Sequence, residues 1–167
     1  MGYGIIIIRD KQAELVTMGV LKLYQLSEHE DKLKKIFDRT VSLIEEYHPD
    51  ELAIEAPFFG KNVQSMLKLG RAQGVLMAAG LYRSLPIFEY APLLVKQSIT
   101  GMGRASKEQV AWFLQKTFHL SDLPRELDAT DAVAVAICHH LQQSRPTISS
   151  DYRNWEDFIR KNPGRVK

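Results

Sequence analysis

Three carboxylate residues carry the chemistry that this sequence offers. Glu55 ends the apolar run Leu52–Ile54, which predicts a buried strand. Asp128 and Asp131 lie three residues apart where an Ala- and Val-rich helix is predicted to begin, so they share one helix face. An acid at the end of a strand beside such a pair supplies hard oxygen ligands that can hold Mg²⁺ or Mn²⁺ over an open cleft. The pattern therefore predicts a metal site.

Each of these acids also has a purely structural interpretation. Asp128 can act as the N-cap of its helix, and Asp131 can complement the helix dipole from the first turn. Glu55 is harder to explain in this way, because an acid that ends an apolar strand is costly to bury without a partner. Spacing alone leaves both interpretations of the aspartates open.

Two adjacent aromatic residues, Phe58 and Phe59, follow the strand of Glu55, and Lys61 comes two residues later. Neighbouring side chains of an extended chain point to different sides, so burying both rings is difficult. The structural interpretation places one ring in the core and makes the other an incidental loop residue. The functional alternative is a base-stacking wedge beside a scissile phosphate, with Lys61 as a further DNA contact.

Lys96, Arg104 and Lys107 surround a Gly101–Gly103 turn and the start of a helix with a Ser106-x-x-Gln109 capping box. Backbone amides and the helix dipole favour a phosphate at such a helix start, and glycine permits its close approach. The alternative is an ordinary solvated surface. The three residues are candidates for contact with a phosphate.

Composition narrows the class of protein. The chain has 167 residues, 45% of them hydrophobic and 25% charged, with a net charge of +2, which fits one globular domain and neither requires nor excludes nucleic acid. No apolar run reaches the ~20 residues of a membrane span, so no membrane association is expected. Cys138 is the single cysteine, so no internal disulfide can form and a cytoplasmic setting is expected.

Apolar periodicity predicts the order β-β-α-β-α-β-α-α-α, an α/β fold with mixed strand directions. Residues 1–145 form the predicted domain, and residues 146–167 form a basic tail. The first two strands read as a hairpin, at 3–9 and 15–23. The later elements are predicted at 31–47 (helix), 52–55 (strand), 62–83 (helix), 86–90 (strand), from Pro92 (helix), from Ser106 (helix) and at 128–142 (helix).

Two further patterns are less informative: the first leaves its packing partner open, and the second gives little support to a metal site. Gly70 and Gly74 lie four apart on the apolar face of the long helix, and each costs ~1 kcal/mol against Ala. A close approach is therefore expected, either to the sheet of the same subunit or to a second helix across a dimer interface. Cys138-His139-His140 resembles a set of metal ligands, but consecutive helical residues do not converge, so packing and surface roles are favoured.

Several motifs, taken together in order and spacing, resemble one family, the bacterial Holliday junction resolvases of the RuvC type. The likeness runs from Gly2-Tyr3-Gly4 to about residue 143. The motifs are Leu52-Ala-Ile-Glu-Ala-Pro-Phe-Phe59, Lys61-Asn62, Leu69-Gly-Arg-Ala-Gln-Gly74, Phe88-Glu-Tyr-Ala91, Val95-Lys-Gln97, Gly101-x-Gly103 and Asp128-Ala-Thr-Asp-Ala132.

The resemblance implies an RNase H-like fold, a homodimer, two Mg²⁺ ions and symmetrical nicking of four-way junction DNA in recombination and repair. It also implies cooperation with the RuvA–RuvB branch-migration complex. Position by position, Glu55, Asp128 and Asp131 match the family's metal-binding catalytic acids. Lys96 and Lys107 match basic residues near the scissile phosphate, and Phe58 matches the aromatic that stacks at the crossover.

The sequence departs from the family pattern at its start. Members of the family open with a strand ending in Gly-Ile-Asp-Pro-Gly, whose Asp is a catalytic ligand, before Gly-Tyr-Gly. This first strand, central to the sheet, is expected to be missing here together with that acid. Asp10 cannot replace it, since it lies at the far end of the next strand, ~20 Å away at ~3.3 Å per residue. Impaired nicking follows as an expectation. The alternatives are a catalytically inactive junction-binding protein and an RNase H-like nuclease acting on RNA.

Overall fold

The computed structural model describes residues 1–57, 62–120, 126–144 and 155–161. The predicted order of strands and helices is confirmed, and a short helix in the tail is added to it. The elements are β1 (Gly2–Arg9), β2 (Gln12–Val20), α1 (His29–Tyr47), β3 (Leu52–Glu55), α2 (Val63–Tyr82), β4 (Ile87–Tyr90), α3 (Pro92–Thr100), α4 (Lys107–Thr117), α5 (Asp128–Gln143) and α6 (Trp155–Lys161).

The strands form two separate pairs. β1 and β2 are an antiparallel hairpin whose register runs from Gly2 opposite Val20 to Arg9 opposite Gln12. Asp10 and Lys11 both adopt positive φ, of 50° and 67°, so a two-residue turn joins the strands. The prediction that Gln12 lies in the turn and that β2 begins at Leu15 was therefore wrong. β3 and β4 are parallel, and within the described residues neither is hydrogen-bonded to the hairpin.

The helix α5 packs on one face of β1, and the Gly-Tyr-Gly sequence of the strand explains how. A Cβ on Gly2 would overlap the backbone carbonyl of Asp128, and one on Gly4 would lie 2.6 Å from the Val133 side chain. These glycines therefore let α5 lie directly against the strand. Tyr3 points to the opposite face, where its hydroxyl accepts a hydrogen bond of 3.1 Å from Arg39 of α1.

The main core lies where α3, α4 and α5 meet the strands. α5 contributes most of its buried residues, because its Ala- and Val-rich sequence allows close packing along almost every side of the helix. No helix in the described ranges has the length and apolarity needed to cross a membrane. The buried cluster comprises Val95, Ala105, Val110, Leu114, Val133, Ala134, Val135, Ile137 and Cys138.

A cavity of about 1240 Å³ separates the two strand pairs. One edge is β1 and the other is β3. Helices close it from both faces, each with side chains at the i, i+3, i+4, i+7 spacing of one helix face. Two strand edges and two helix faces are the surroundings of a central strand in a sheet. The helix residues are Thr40, Leu43, Ile44 and Tyr47 of α1 and Ala132, Val135, Ala136 and His139 of α5. We call this cavity the slot.

Candidate active site and nucleic-acid interface

The three predicted acids all line one end of the slot. Glu55 is the last residue of β3, Asp128 is the first residue of α5, and Asp131 lies one turn further along α5. The close packing of α5 on Gly2 and Gly4 brings the helix start to the end of the sheet where β3 finishes. The fold therefore gathers the acids in one region, as their pattern predicts.

Asp128 does not cap its helix. The N-cap position of α5 is Leu127, whose backbone is helical and whose side chain makes no capping hydrogen bond. The carbonyl of Leu127 accepts from the Asp131 amide at 2.9 Å and from the Thr130 hydroxyl at 2.7 Å. The N-cap interpretation of Asp128 is therefore wrong, and its half-exposed carboxylate faces two cations instead, the Met1 amino group at 3.7 Å and Lys107.

Lys107 joins the two aspartates. Its Nζ lies 2.5 Å from Oδ2 of Asp131 and 3.6 Å from Oδ1 of Asp128. The hydrogen bond to Asp131 is the main cause of a raised pKa for Lys107, so the side chain is a cation at neutral pH. Its position is fixed by the predicted capping box, in which Gln109 N donates to Ser106 Oγ at 3.2 Å and Ser106 N donates to Gln109 Oε1 at 2.8 Å.

Glu55 belongs to the same electrostatic cluster. Its pKa is raised chiefly by its partial removal from water at the wall of the slot, and next by the negative charge of Asp131. Lys107 and Lys96 oppose both effects and favour the ionised carboxylate. An acid on β3, an acid pair on α5 and lysines from α3 and α4 thus influence one another, although four different elements carry them.

The donors suit a hard cation, but their arrangement is not a ready-made cage. Carboxylate oxygens are the ligands that Mg²⁺ and Mn²⁺ prefer. Within the described ranges, however, no three Asp, Glu, His or Cys side chains are placed to hold one ion together. The ammonium group of Lys107 lies between the two aspartates. The side chains therefore fit a metal in type, and Lys107 has to release the aspartates before an ion can be shared.

The predicted phosphate contacts lie on the same side of the fold. Lys96 on α3 is half-buried, and Arg104 is exposed and makes no ion pair within the part of the chain that the structure describes. Between them Gly101 takes a left-handed conformation (φ 74°), and its amide caps α3 by donating to the Gln97 carbonyl at 2.9 Å. Phe58, Phe59 and Lys61 lie outside the described residues.

A hydrogen-bond network that sequence reasoning missed lies further along α5. Cys138 is buried in the core, as the packing interpretation predicts. His139, however, is no surface residue: its side chain is only 12% exposed and links Tyr90 of β4 to Glu51 ahead of β3. No spacing signal could have revealed it, because the three residues are far apart in sequence. The sequence did indicate that His139 faces the same side of the helix as Asp131, because it lies two turns further along.

Gly70 and Gly74 face away from the subunit. A Cβ at either position would have nothing within 4 Å, and both residues are exposed. The expectation that they pack on the sheet of their own subunit is therefore wrong. Gly80, further along α2, is the glycine that makes this contact, because a Cβ there would lie 2.7 Å from Leu52 of β3.

Comparison with solved structures supports the fold. A structure of Thermus thermophilus RuvC superposes with a TM-score of 0.75 at 28% identity, covering 85% of this chain and 87% of that one. The T. thermophilus RuvC structure in complex with Holliday junction substrate gives a TM-score of 0.77 at 27% identity, with the same coverage. The predicted RNase H-like α/β fold is thereby confirmed.

Sequence comparison agrees over the whole chain. The crossover junction endodeoxyribonuclease RuvC of Bacteroides fragilis is 57% identical over 169 residues, which cover 100% of this chain and 90% of the relative. The protein of that name from Cytophaga hutchinsonii is 55% identical, covering 100% of this chain and 82% of the relative. The family model described as "Crossover junction endodeoxyribonuclease RuvC" matches residues 1–139, and the chain accordingly belongs to the RuvC family.

Proposed function

We propose that this protein is a structure-selective DNA endonuclease that resolves four-way junctions by symmetrical nicking during recombination and repair. The observation that carries the proposal is the gathering of Glu55, Asp128 and Asp131 with Lys107 at one end of the slot. The relatives named as crossover junction endodeoxyribonucleases and the junction-bound structural neighbour support this substrate.

The acids would hold Mg²⁺, with Mn²⁺ as an alternative. A bound ion of this kind supplies an activated water and stabilises the leaving oxygen of a phosphodiester. Glu55 would contribute from the sheet, and Asp128 and Asp131 from α5. Lys107 would then exchange its aspartate partners for a phosphate oxygen of the DNA, because an ammonium group released from carboxylates at this position faces the incoming backbone.

DNA is proposed to bind across α3 and the start of α4. Lys96, Arg104 and Lys107 supply cations there, and the start of a capped helix favours a phosphate. Phe58, Phe59 and Lys61 are proposed to extend this surface beside the acids, with Phe58 stacking at the crossover.

We also propose that the protein acts as a homodimer through α2. Val63, Leu67, Gly70, Gly74 and Ala78 are exposed and share one face of this helix. The two glycines would allow a second helix to approach closely, and a two-fold symmetric pair would present two active sites to two strands of a junction. Action with the RuvA–RuvB branch-migration complex, in the cytoplasm, completes the proposal.

The dimer is tested by replacing Gly70 and Gly74 with Leu and measuring sedimentation. Loss of close approach should shift the protein toward monomer. The matched control places Leu at Gln64 and Lys68, which are exposed on the same helix but outside the stripe. A Gly70/Gly74 variant that stays dimeric while the control dissociates would contradict an interface on this face.

A second candidate function is junction binding without cleavage. It is favoured by one observation, that the acids do not converge and that Lys107 already neutralises two of them. The two functions are separated by incubating the protein with a synthetic four-way junction, a linear duplex and a structured RNA, with and without Mg²⁺. Paired nicks in the junction alone support the endonuclease, while retarded but intact junction supports the binding protein.

A further inference from the structure

We infer that His139 is a positioning residue of the active site: by holding Tyr90 and Glu51 together, it fixes the β3–β4 pair, and therefore Glu55, relative to the aspartates of α5. The inference rests on the proposed function for its catalytic consequence, but its structural content can be tested without DNA or metal.

The position of Glu55 relative to α5 depends on the β3–β4 pair. Within the described residues, β3 pairs with β4 and leaves its other edge to the slot. Asp128 and Asp131 belong to α5, which is packed tightly on β1 through Gly2 and Gly4. The distance between the acid of β3 and the acids of α5 therefore depends on how the β3–β4 pair is attached to α5.

Ala53 and Tyr90 pack against the buried cluster to which α5 contributes, and His139 adds a polar link with both ring nitrogens. Nδ1 lies 2.7 Å from the Tyr90 hydroxyl, and Nε2 lies 2.6 Å from Oε2 of Glu51. The ring also packs on Phe88 of β4, with 4.6 Å between ring centroids. Hydrogen bonds at opposite sides of one nearly buried ring fix its orientation, because rotating the ring would break both.

The register of β3 and β4 carries this constraint to the active site. Tyr90 is the residue opposite Glu55, and residues opposite each other in a sheet project from the same face. The amide of Ala56 donates to the Tyr90 carbonyl at 2.9 Å, which closes the pairing at this point. Glu51 precedes the first residue of β3. His139 therefore connects α5 to the start of β3 and, through Tyr90, to its end.

The direct test measures nuclear Overhauser contacts between β3 and α5 by NMR in the metal-free protein. In the wild type, Ala53 of β3 packs against the buried cluster to which α5 contributes. His139→Phe keeps an aromatic ring on Phe88 but removes both hydrogen bonds. If β3 then moves away from α5, these contacts should weaken or be lost.

Two further variants keep this test decisive. Tyr90→Phe removes only the hydroxyl and should weaken the contacts between β3 and α5 by less, and it decides the question if His139→Phe fails to fold. His140→Phe is the matched control, because His140 hydrogen-bonds to Ser144 at the end of its own helix. It should leave these contacts unchanged. Unaltered contacts between β3 and α5 in folded His139→Phe or Tyr90→Phe protein would overturn the inference, even if its melting temperature falls.

Junction nicking gives the functional readout. His139→Phe should lower the single-turnover nicking rate roughly 10- to 100-fold, as expected for a catalytic group displaced by about an ångström. Junction affinity should stay unchanged, because the basic residues of α3 and α4 do not depend on this network. If the wild type does not nick junctions, the proposed function fails, whereas lost contacts between β3 and α5 in the His139→Phe protein would still support the role of His139 as an anchor.

Discussion

The β1–β2 hairpin and the β3–β4 pair both pack on α5, but they are attached to it by different means. The hairpin meets the helix backbone to backbone, through Gly2 and Gly4. The β3–β4 pair is separated from the hairpin by the slot and meets α5 through side chains: Ala53 and Tyr90 pack against the buried cluster, and His139 links the pair to the helix. The aspartates therefore lie on a helix held by close backbone contact, whereas Glu55 is held through side-chain contacts.

Filling the slot with a strand should remove this difference in attachment and should change the nicking rate more than any other variant. An apolar strand ending in Gly-Ile-Asp-Pro-Gly, joined by a turn ahead of Gly2, would pair with both β1 and β3 and add a fourth acid beside Glu55. Nicking should rise by several powers of ten, since a metal ligand contributes several kcal/mol and each ~1.4 kcal/mol is tenfold in rate. Junction nicking and thermal unfolding are the measurements.

The same fusion with Asn in place of that Asp is the control. It should restore stability and solubility without the gain in rate, because it pairs the strand edges but adds no charge. If the unextended chain already nicks as fast as the Asp-bearing fusion, the added acid is not needed.

Replacing single glycines compares the two attachments directly. A Cβ on Gly4 would lie 3.0 Å from the backbone nitrogen of Val133, which cannot move without shifting α5, so Gly4→Ala should destabilise the protein by about 1–3 kcal/mol. A Cβ on Gly80 would meet only the end of the flexible Leu52 and the Ile87 side chain. Gly80→Ala should be nearly neutral, because Ala also gains ~1 kcal/mol of helix propensity. Equal losses in chemical denaturation would argue against a stiffer β1 contact.

The sequence predicted the strands and helices better than the turns and side-chain contacts between them. Periodicity located each strand and helix because each buries one face, and the turn at Asp10 and Lys11 was misjudged because neither residue is Gly. The acids were found because carboxylates stand out at the ends of apolar elements. The His139 network and the Lys107 bridge could not be found, since they join residues whose proximity only the packing of α5 creates.

Lys107 should contribute to junction binding through one phosphate contact. Lys107→Ala should weaken junction binding and lower the slope of log affinity against log salt by about one unit, as for one lost phosphate contact. Lys34→Ala is the control, since Lys34 pairs with Asp38 on the exposed face of α1. An unchanged slope in the Lys107 variant would assign that lysine to neutralising the aspartates alone.

The smallest effect expected concerns pH. Because the pKa of Glu55 is raised above 4.5 in the folded state, the native protein binds its proton more tightly than the unfolded chain does. This contribution to stability is fully present below pH 4.5 and is lost as the pH rises through the folded value. Relative to Glu55→Gln, the wild type should lose stability over that range in urea unfolding.

Glu108 supplies a control of opposite sign. Its pKa is lowered, chiefly by a hydrogen bond with Ser106, so its contribution is present above pH 4.5 and is lost as the pH falls through the folded value. The Glu108→Gln variant should therefore lack the part of the loss of folding stability at falling pH that Glu108 causes in the wild type. A wild type that gains stability over Glu55→Gln with rising pH would show that Glu55 is not desolvated beside Asp131.

The central claim is that the acids of β3 and α5 form one active site for four-way junctions. It is tested most directly by mapping nicks, at single turnover with Mg²⁺, in a synthetic junction treated with wild type, Glu55→Gln or Asp131→Asn, with binding measured in parallel. We predict symmetrical, metal-dependent nicks from the wild type and binding without nicks from both variants. Nicking by either variant at the wild-type rate and positions would contradict the claim.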